Sequence, residues 1–247
     1  MREIFKRVED NNELIIEIDL EADECKDNSP WLLSVFIQYD GLNETKEGYE
    51  EFLENKESLI IALAYEERAR YVGSRVIDGW SELYFYAQDS KELDTMAGAI
   101  LKSTNYVNES NVIKDKKWNF HHKNLVPTEL ELVHMQSSKI IFLLEEENED
   151  LTISRDVEHY ISFETPTQKN RFLNTLELDG FSFKDDLDSE EFEYGIVLIK
   201  NHAVTGDEVK KVVDKLFVEI KKANGYYEGW STTLVNQEVE DSDILES

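Results

Sequence analysis

Gly225-Tyr226-Tyr227-Glu228-Gly229-Trp230-Ser231-Thr232 follows a strongly amphipathic stretch and reads as the closing strand of a domain. Its aromatics supply packing area with polar handles, and its glycines let the backbone bend or approach a neighbour closely. The helix before it opens at Gly206-Asp207, and Val209, Val212, Val213, Leu216, Phe217 and Ile220 recur at helical spacing. Gly225 stands where a helix-terminating glycine belongs. Working back, Val157, His159, Ile161 and Phe163 alternate as on one face of a strand. Thr165-Pro166-Thr167-Gln168 is a capping box with Pro in the first turn, starting a helix with Phe172, Leu173 and Leu176 that ends at Gly180. Phe181–Lys184 and Tyr194–Lys200 are strands, and Tyr226–Val235 closes the unit. The order is β-α-β-β-α-β.

The first half follows the same order. Leu14–Leu20 and Trp31–Tyr39 are strand-like. From Glu47 a helical period turns Tyr49, Phe52, Leu53, Ile60 and Leu63 inward. Tyr71–Ile77, the Asp78-Gly79 turn and Trp80–Tyr86 form a hairpin of type I′, whose two central residues need positive φ. The next helix opens at Asp89, with Glu92 completing a capping box, and carries Leu93, Met96, Ala97, Ile100 and Leu101. A closing strand is expected over Asn111–Phe120. Pro127, Leu130, Val133 and Ile140–Leu144 predict a connecting helix that stops in the acidic run 145–150.

The expected fold class is therefore α+β: two tandem ferredoxin-like (β-α-β-β-α-β) sandwiches joined by a helical connector, the first with an extra strand at its start. Boundaries fall at 1–126, 127–150 and 151–237, with an acidic tail at 238–247.

Composition narrows the function classes. Twelve Phe, 11 Tyr and 4 Trp are enough to build real cores. The chain carries 26 basic against 54 acidic residues, a net charge of −28. Such a surface repels nucleic acid and anionic lipid and attracts a basic protein partner. Cys25 is the one cysteine, so no intramolecular disulfide forms, which fits a reducing compartment. The first residues lack a signal-peptide core, and the apolar runs are too short to cross a bilayer. A cytoplasmic location without membrane contact is expected.

Few side chains suggest chemistry. His159 shares the face of Val157 and Ile161, so it reads as a satisfied core histidine; a general base would need a partner nucleophile, and none is indicated. His121 and His122, placed on a strand, would point to opposite faces. His134 and His202 are scattered, so no metal site is expected and no cofactor is implied. Alternation puts Tyr226, Glu228 and Trp230 on one face and Tyr227 and Gly229 on the other; the aromatics are either sheet packing or a recognition patch, and Gly229 marks a bulge. Carboxylate pairs such as Asp185-Asp186 and Glu190-Glu191 are expected by chance among so many acids. No phosphate-binding loop, nucleophile elbow or dinucleotide fingerprint occurs. The sheet aromatics have acidic flanks, which disfavours direct RNA binding.

Val157-Glu158-His159, Gly180-Phe181, the helix 207–224 and Tyr227-Glu228-Gly229-Trp230-Ser231-Thr232 together resemble the regulator of ribonuclease E activity B family over residues 154–235. Glu228 stands where that family usually has Asp. Tyr71-Val72-Gly73, Asp78-Gly79, Tyr84-Phe85-Tyr86 and Leu125-Val126-Pro127-Thr128 look like a bacterial family of unknown function that is often fused ahead of it. The resemblance implies a non-enzymatic protein that damps an endoribonuclease by protein contact. The single-domain regulators carry a long acidic tail, whereas this chain has a short one and an added domain. The leading expectation is an acidic interaction module acting on a basic protein, by resemblance a ribonuclease. The alternatives are an enzyme with a cleft between the two domains and a self-associating module.

Overall fold

A computed structural model describes residues 2–39, 45–175, 180–187 and 194–235, apart from the side chains of Cys25 and Thr175. The chain divides into two compact units, Met1–Pro127 and Thr128–Ser247. The predicted tail 238–247, the Glu190-Glu191 pair and the predicted helix end at 176–179 lie outside the described residues.

The first unit contains β1 (Arg2–Glu9), β2 (Asn12–Asp19), β3 (Trp31–Gln38), α1 (Lys46–Ala64), β4 (Arg70–Ile77), β5 (Trp80–Ala87), α2 (Leu93–Leu101), β6 (Asn108–Lys114) and α3 (Asn119–Asn124), with a 3-10 turn over Ala22–Asn28. Its described strands form one antiparallel sheet in the order β1-β2-β4-β5-β3-β6. Within it, β3-α1-β4-β5-α2-β6 is the ferredoxin-like unit, and the β1–β2 hairpin extends the sheet beyond β4. The sequence predicts one added strand where the structure has two. β1 escapes a hydrophobic reading because Ile4 and Val8 are 63% and 71% exposed among charged neighbours.

The two faces of this sheet are covered differently. Leu33, Val35 and Ile37 of β3 and Leu83 and Phe85 of β5 share a core with Phe52, Leu59, Ile60 and Leu63 of α1 and with α2. On the other face Trp118 stacks on Tyr86 at 3.9 Å and Phe120 leans on Tyr84 at 4.4 Å. Asp78 and Gly79 both have positive φ (50° and 78°), as the predicted turn requires.

Several expected features are corrected. Tyr49 and Leu53 of α1 are exposed, and Lys56 lies on the buried face instead. Its ammonium donates to Glu17 Oε2 at 2.9 Å and to Ser74 Oγ at 3.3 Å, which satisfies the buried charge. α2 starts four residues after Asp89, with Glu92 in a left-handed conformation and no side-chain cap. Asp89 instead accepts hydrogen bonds from Arg68 Nη1 and the Lys91 N–H. The expected strand Asn111–Phe120 ends at Lys114. There Asp115 accepts from the N–H groups of Asn119 and Phe120 (both 2.9 Å) and from the Tyr86 hydroxyl (2.8 Å), turning the chain into α3.

The second unit contains α4 (Glu129–Glu146), β7 (Arg155–Ser162), α5 (Pro166–Thr175), β8 (Phe181–Leu187), β9 (Gly195–His202), α6 (Gly206–Lys222) and β10 (Tyr226–Thr232). The antiparallel order β10-β7-β9-β8 is the ferredoxin-like arrangement. Thr165 and Gln168 exchange the capping hydrogen bonds that start α5. The apolar stripe of α6 is buried against Val157, Ile161 and Ile196 of the sheet, and each such side chain contributes about 1.5–3 kcal/mol. α4, predicted as a connector, places Val133 and Leu144 in this same core and so belongs to the second unit. Thr128 and Glu131 form its capping box. No helix among the described residues is long and apolar enough to cross a membrane.

A Cβ on Gly225 would lie 2.5 Å from a ring carbon of Phe163, itself core. Gly225→Ala is therefore expected to destabilise the second unit by about 1–3 kcal/mol in urea titration. An unchanged midpoint would show that the Phe163 ring has room to move.

Candidate functional site

The chain leaves α6 at Gly225, whose N–H donates to Ile220 O at 3.0 Å, and enters β10, the edge strand of the sheet. Pairing with β7 runs Tyr227 opposite Ile161 but Gly229 opposite Tyr160, so Glu228 is the extra residue of a bulge and Gly229 takes φ 134°. The inserted residue breaks the expected alternation. Tyr227 and Trp230, three residues apart, sit opposite Ile161 and His159 and are both buried. Tyr226 is 42% exposed and Glu228 is half-buried. This corrects the expected grouping of Tyr226, Glu228 and Trp230 on one face.

Each side chain of the run is held in place. The Tyr226 hydroxyl donates to Glu164 at 2.8 Å, and Lys221 Nζ lies 4.8 Å from its ring centre. Ser162 Oγ donates to Glu228. Trp230 Nε1 donates to Ser137 Oγ of α4 at 2.9 Å. α4 is fixed in turn on α6 by His134 with Asp214 (2.8 Å) and by a Glu129–Lys221 ion pair.

Between α4 and β10 lie two adjoining open clefts of about 240 and 360 Å³. Val133, Gln136 and Glu228 line both. Tyr226 and Tyr227 border the first, and Gly229, Trp230 and Tyr160 the second. The result is a groove with apolar walls and both signs of charge at its rim, since Lys221, Lys139 and Glu129 also reach it. No sequence pattern announces the α4 contribution. A buried indole N–H calls for an acceptor, but nothing local points to Ser137, 93 positions away.

His159 is 1% exposed and belongs to a buried polar chain. The carbonyl of Ala203 can only accept, so His202 Nδ1 carries a proton and donates to it at 2.7 Å. His202 Nε2 is then an acceptor for His159 Nε2–H at 3.4 Å, and His159 Nδ1 accepts from the Tyr227 hydroxyl at 2.8 Å. This proton arrangement is self-consistent with both rings neutral. Burial, reinforced by nearby His202 and Lys200, lowers the His159 pKa to about 3. The ring orients Tyr227 within the core and does not reach the groove surface.

His121 and His122 lie on α3, not on a strand, which overturns the argument from opposite faces. Their ring centres are 5.3 Å apart, and one donor atom from each lies within 4.8 Å of the others and of an Asp23 carboxylate oxygen. His202, read as scattered, is the partner of His159.

Residues 134–232 match the family model described as Regulator of ribonuclease activity B, a span that begins inside α4 and ends with β10. Residues 3–126 match the one described as Family of unknown function (DUF695). No curated protein and no solved structure matches the chain significantly.

Proposed function

Because the chain belongs to the Family of unknown function (DUF695) through residues 3–126 and its second half matches the regulators of ribonuclease activity B, we propose that it regulates a ribonuclease by direct protein contact, with the groove between α4 and β10 as its docking surface. One observation carries the docking assignment: the Tyr226–Trp230 run lines both clefts, and the matched span takes in that run together with Gln136 of the facing helix, which also lines both. Tyr226 offers a rigid aromatic anchor of the kind that dominates interface energies. The action is non-enzymatic and takes place in the cytoplasm, with no membrane or nucleic acid partner. The charge of −28 steers a basic protein toward the chain, raising the association rate more than the affinity.

Biosensor titration of the full chain against the purified ribonuclease E-type endoribonuclease of its source tests this reading. Saturable binding is expected, with an association rate that falls as salt rises. Tyr226→Ala and Glu228→Lys should each weaken it about tenfold or more, in line with a lost hot spot of 1.4 kcal/mol or above. Absence of binding at micromolar concentration would end the ribonuclease reading. Equal binding by wild type and both variants would remove the groove from it.

A further inference from the structure

His121 is 2% exposed, and neither of its ring nitrogens has a hydrogen-bond partner among the described residues. A buried imidazole without partners costs stability and calls for an explanation. Its Nδ1 lies 3.8 Å from a carboxylate oxygen of Asp23, an exposed side chain in the turn Ala22–Asn28. His122, the next residue of α3, turns its Nε2 lone pair toward a cation already: Lys26 Nζ donates to it at 2.6 Å. The two segments are tied together independently of these side chains, because Trp118 Nε1 donates to Ser29 O at 2.8 Å and the Asp115 N–H donates to Pro30 O at 2.9 Å.

The geometry points to a divalent transition-metal site formed by Asp23, His121 and His122. Two imidazoles and one carboxylate suit zinc or a neighbouring first-row ion and disfavour calcium and magnesium, which take oxygen donors. The three donor atoms lie within 4.8 Å of one another. Tetrahedral zinc needs them about 3.3 Å apart, from bonds of about 2.0–2.1 Å, so the groups close in on the ion, and the exposed Asp23 side chain, 3.8 Å from His121 Nδ1, is free to rotate toward it. Where the ion takes His122 Nε2, Lys26, on a long flexible stem, gives up its hydrogen bond to that atom. The ion would give His121 its missing partner and fasten the turn Ala22–Asn28 to α3, and water would complete its coordination. This assignment concerns the first unit and does not depend on the regulatory reading of the second.

The test is titration of the chelator-stripped full chain with Co²⁺, followed by visible absorption, and with Zn²⁺, followed by calorimetry. Both are run in millimolar Mg²⁺ to occupy the many surface carboxylates. One equivalent of each ion is expected, with a Co²⁺ spectrum of nitrogen and oxygen ligation. His121→Phe, which keeps an aromatic ring in the buried site, and His122→Gln, at a partly exposed position, should each weaken binding about 100-fold or more, beyond the 10–100-fold cost of losing an outer-shell partner. Lys26→Ala should tighten it, and His134→Gln should leave it unchanged. Should His121→Phe fail to fold by circular dichroism, His122→Gln decides alone. No stoichiometric binding by wild type, or equal binding by His122→Gln, would overturn the site.

Discussion

Arg155→Ala is expected to cost the second unit about 3–5 kcal/mol, the range for stranding one member of a buried ion pair. Arg155 Nη1 donates to Glu149 Oε2 at 2.6 Å, and the two side chains are 3% and 1% exposed. Arg155 Nη2 also donates to Asp150 O at 2.7 Å, while both oxygens of Glu149 accept from the Val235 N–H at 3.0 and 3.1 Å. The pair therefore ties the segment after α4 to the start of β7 and to the chain beyond β10. Removing the guanidinium leaves a carboxylate buried without its cation. Against a typical total stability of about 5–15 kcal/mol, the loss would leave this unit marginal. Hydrogen exchange should show β7 and β10 losing protection while β3 and β5 keep theirs. Glu149→Leu combined with Arg155→Met should recover part of the loss, because no unpaired charge remains. A single variant that matches wild type in exchange and in urea would show that water reaches the pair.

The second large effect is acid sensitivity. His159 is held neutral down to about pH 3 by burial, whereas an unfolded histidine takes up a proton near pH 6.5. Between those values the unfolded chain binds a proton that the folded chain refuses. Stability is thus fully present above about pH 6.5 and falls by about 1.4 kcal/mol per pH unit below it. Protonation would add an N–H at His159 Nδ1, the atom that accepts from the Tyr227 hydroxyl, and so break that buried hydrogen bond. His159→Gln has no such group to titrate. Urea titrations at pH 8 and pH 4.5 should show the wild type losing about 2–3 kcal/mol more than the variant. Equal losses would mean that the ring is protonated in the folded state without cost. The comparison between variants cancels the general effect of neutralising the acidic surface.

Much of the fold was legible because its signals are local. The stripe from Val209 to Ile220, the Asp78-Gly79 turn and the Thr165–Gln168 box each announce an element within a few residues. Strand order then followed from the succession of elements and the short connections between them. What escaped depends on partners far along the chain. Glu149 reads as one acid in an acidic run until Arg155 and Val235 surround it. Lys56 belongs on a buried face only because Glu17 awaits it. On a strand His121 and His122 would be incompatible as a pair, but Asp115 starts a helix there. The face carried by Trp230 could not be read by counting in twos, since one residue of the strand stands outside the count.

That extra residue also bears on how the second unit meets other proteins. Among the described residues β10 forms one rim of its sheet, the kind of margin where a regular row of N–H and C=O groups invites another strand to add on. The kink at Glu228 and the turned backbone of Gly229 interrupt that run midway. A sheet margin so blunted is a poorer template for edge-to-edge pairing than a regular strand. A visitor to this side is met by side chains instead of by an open ladder, which favours recognition by shape and charge over strand addition.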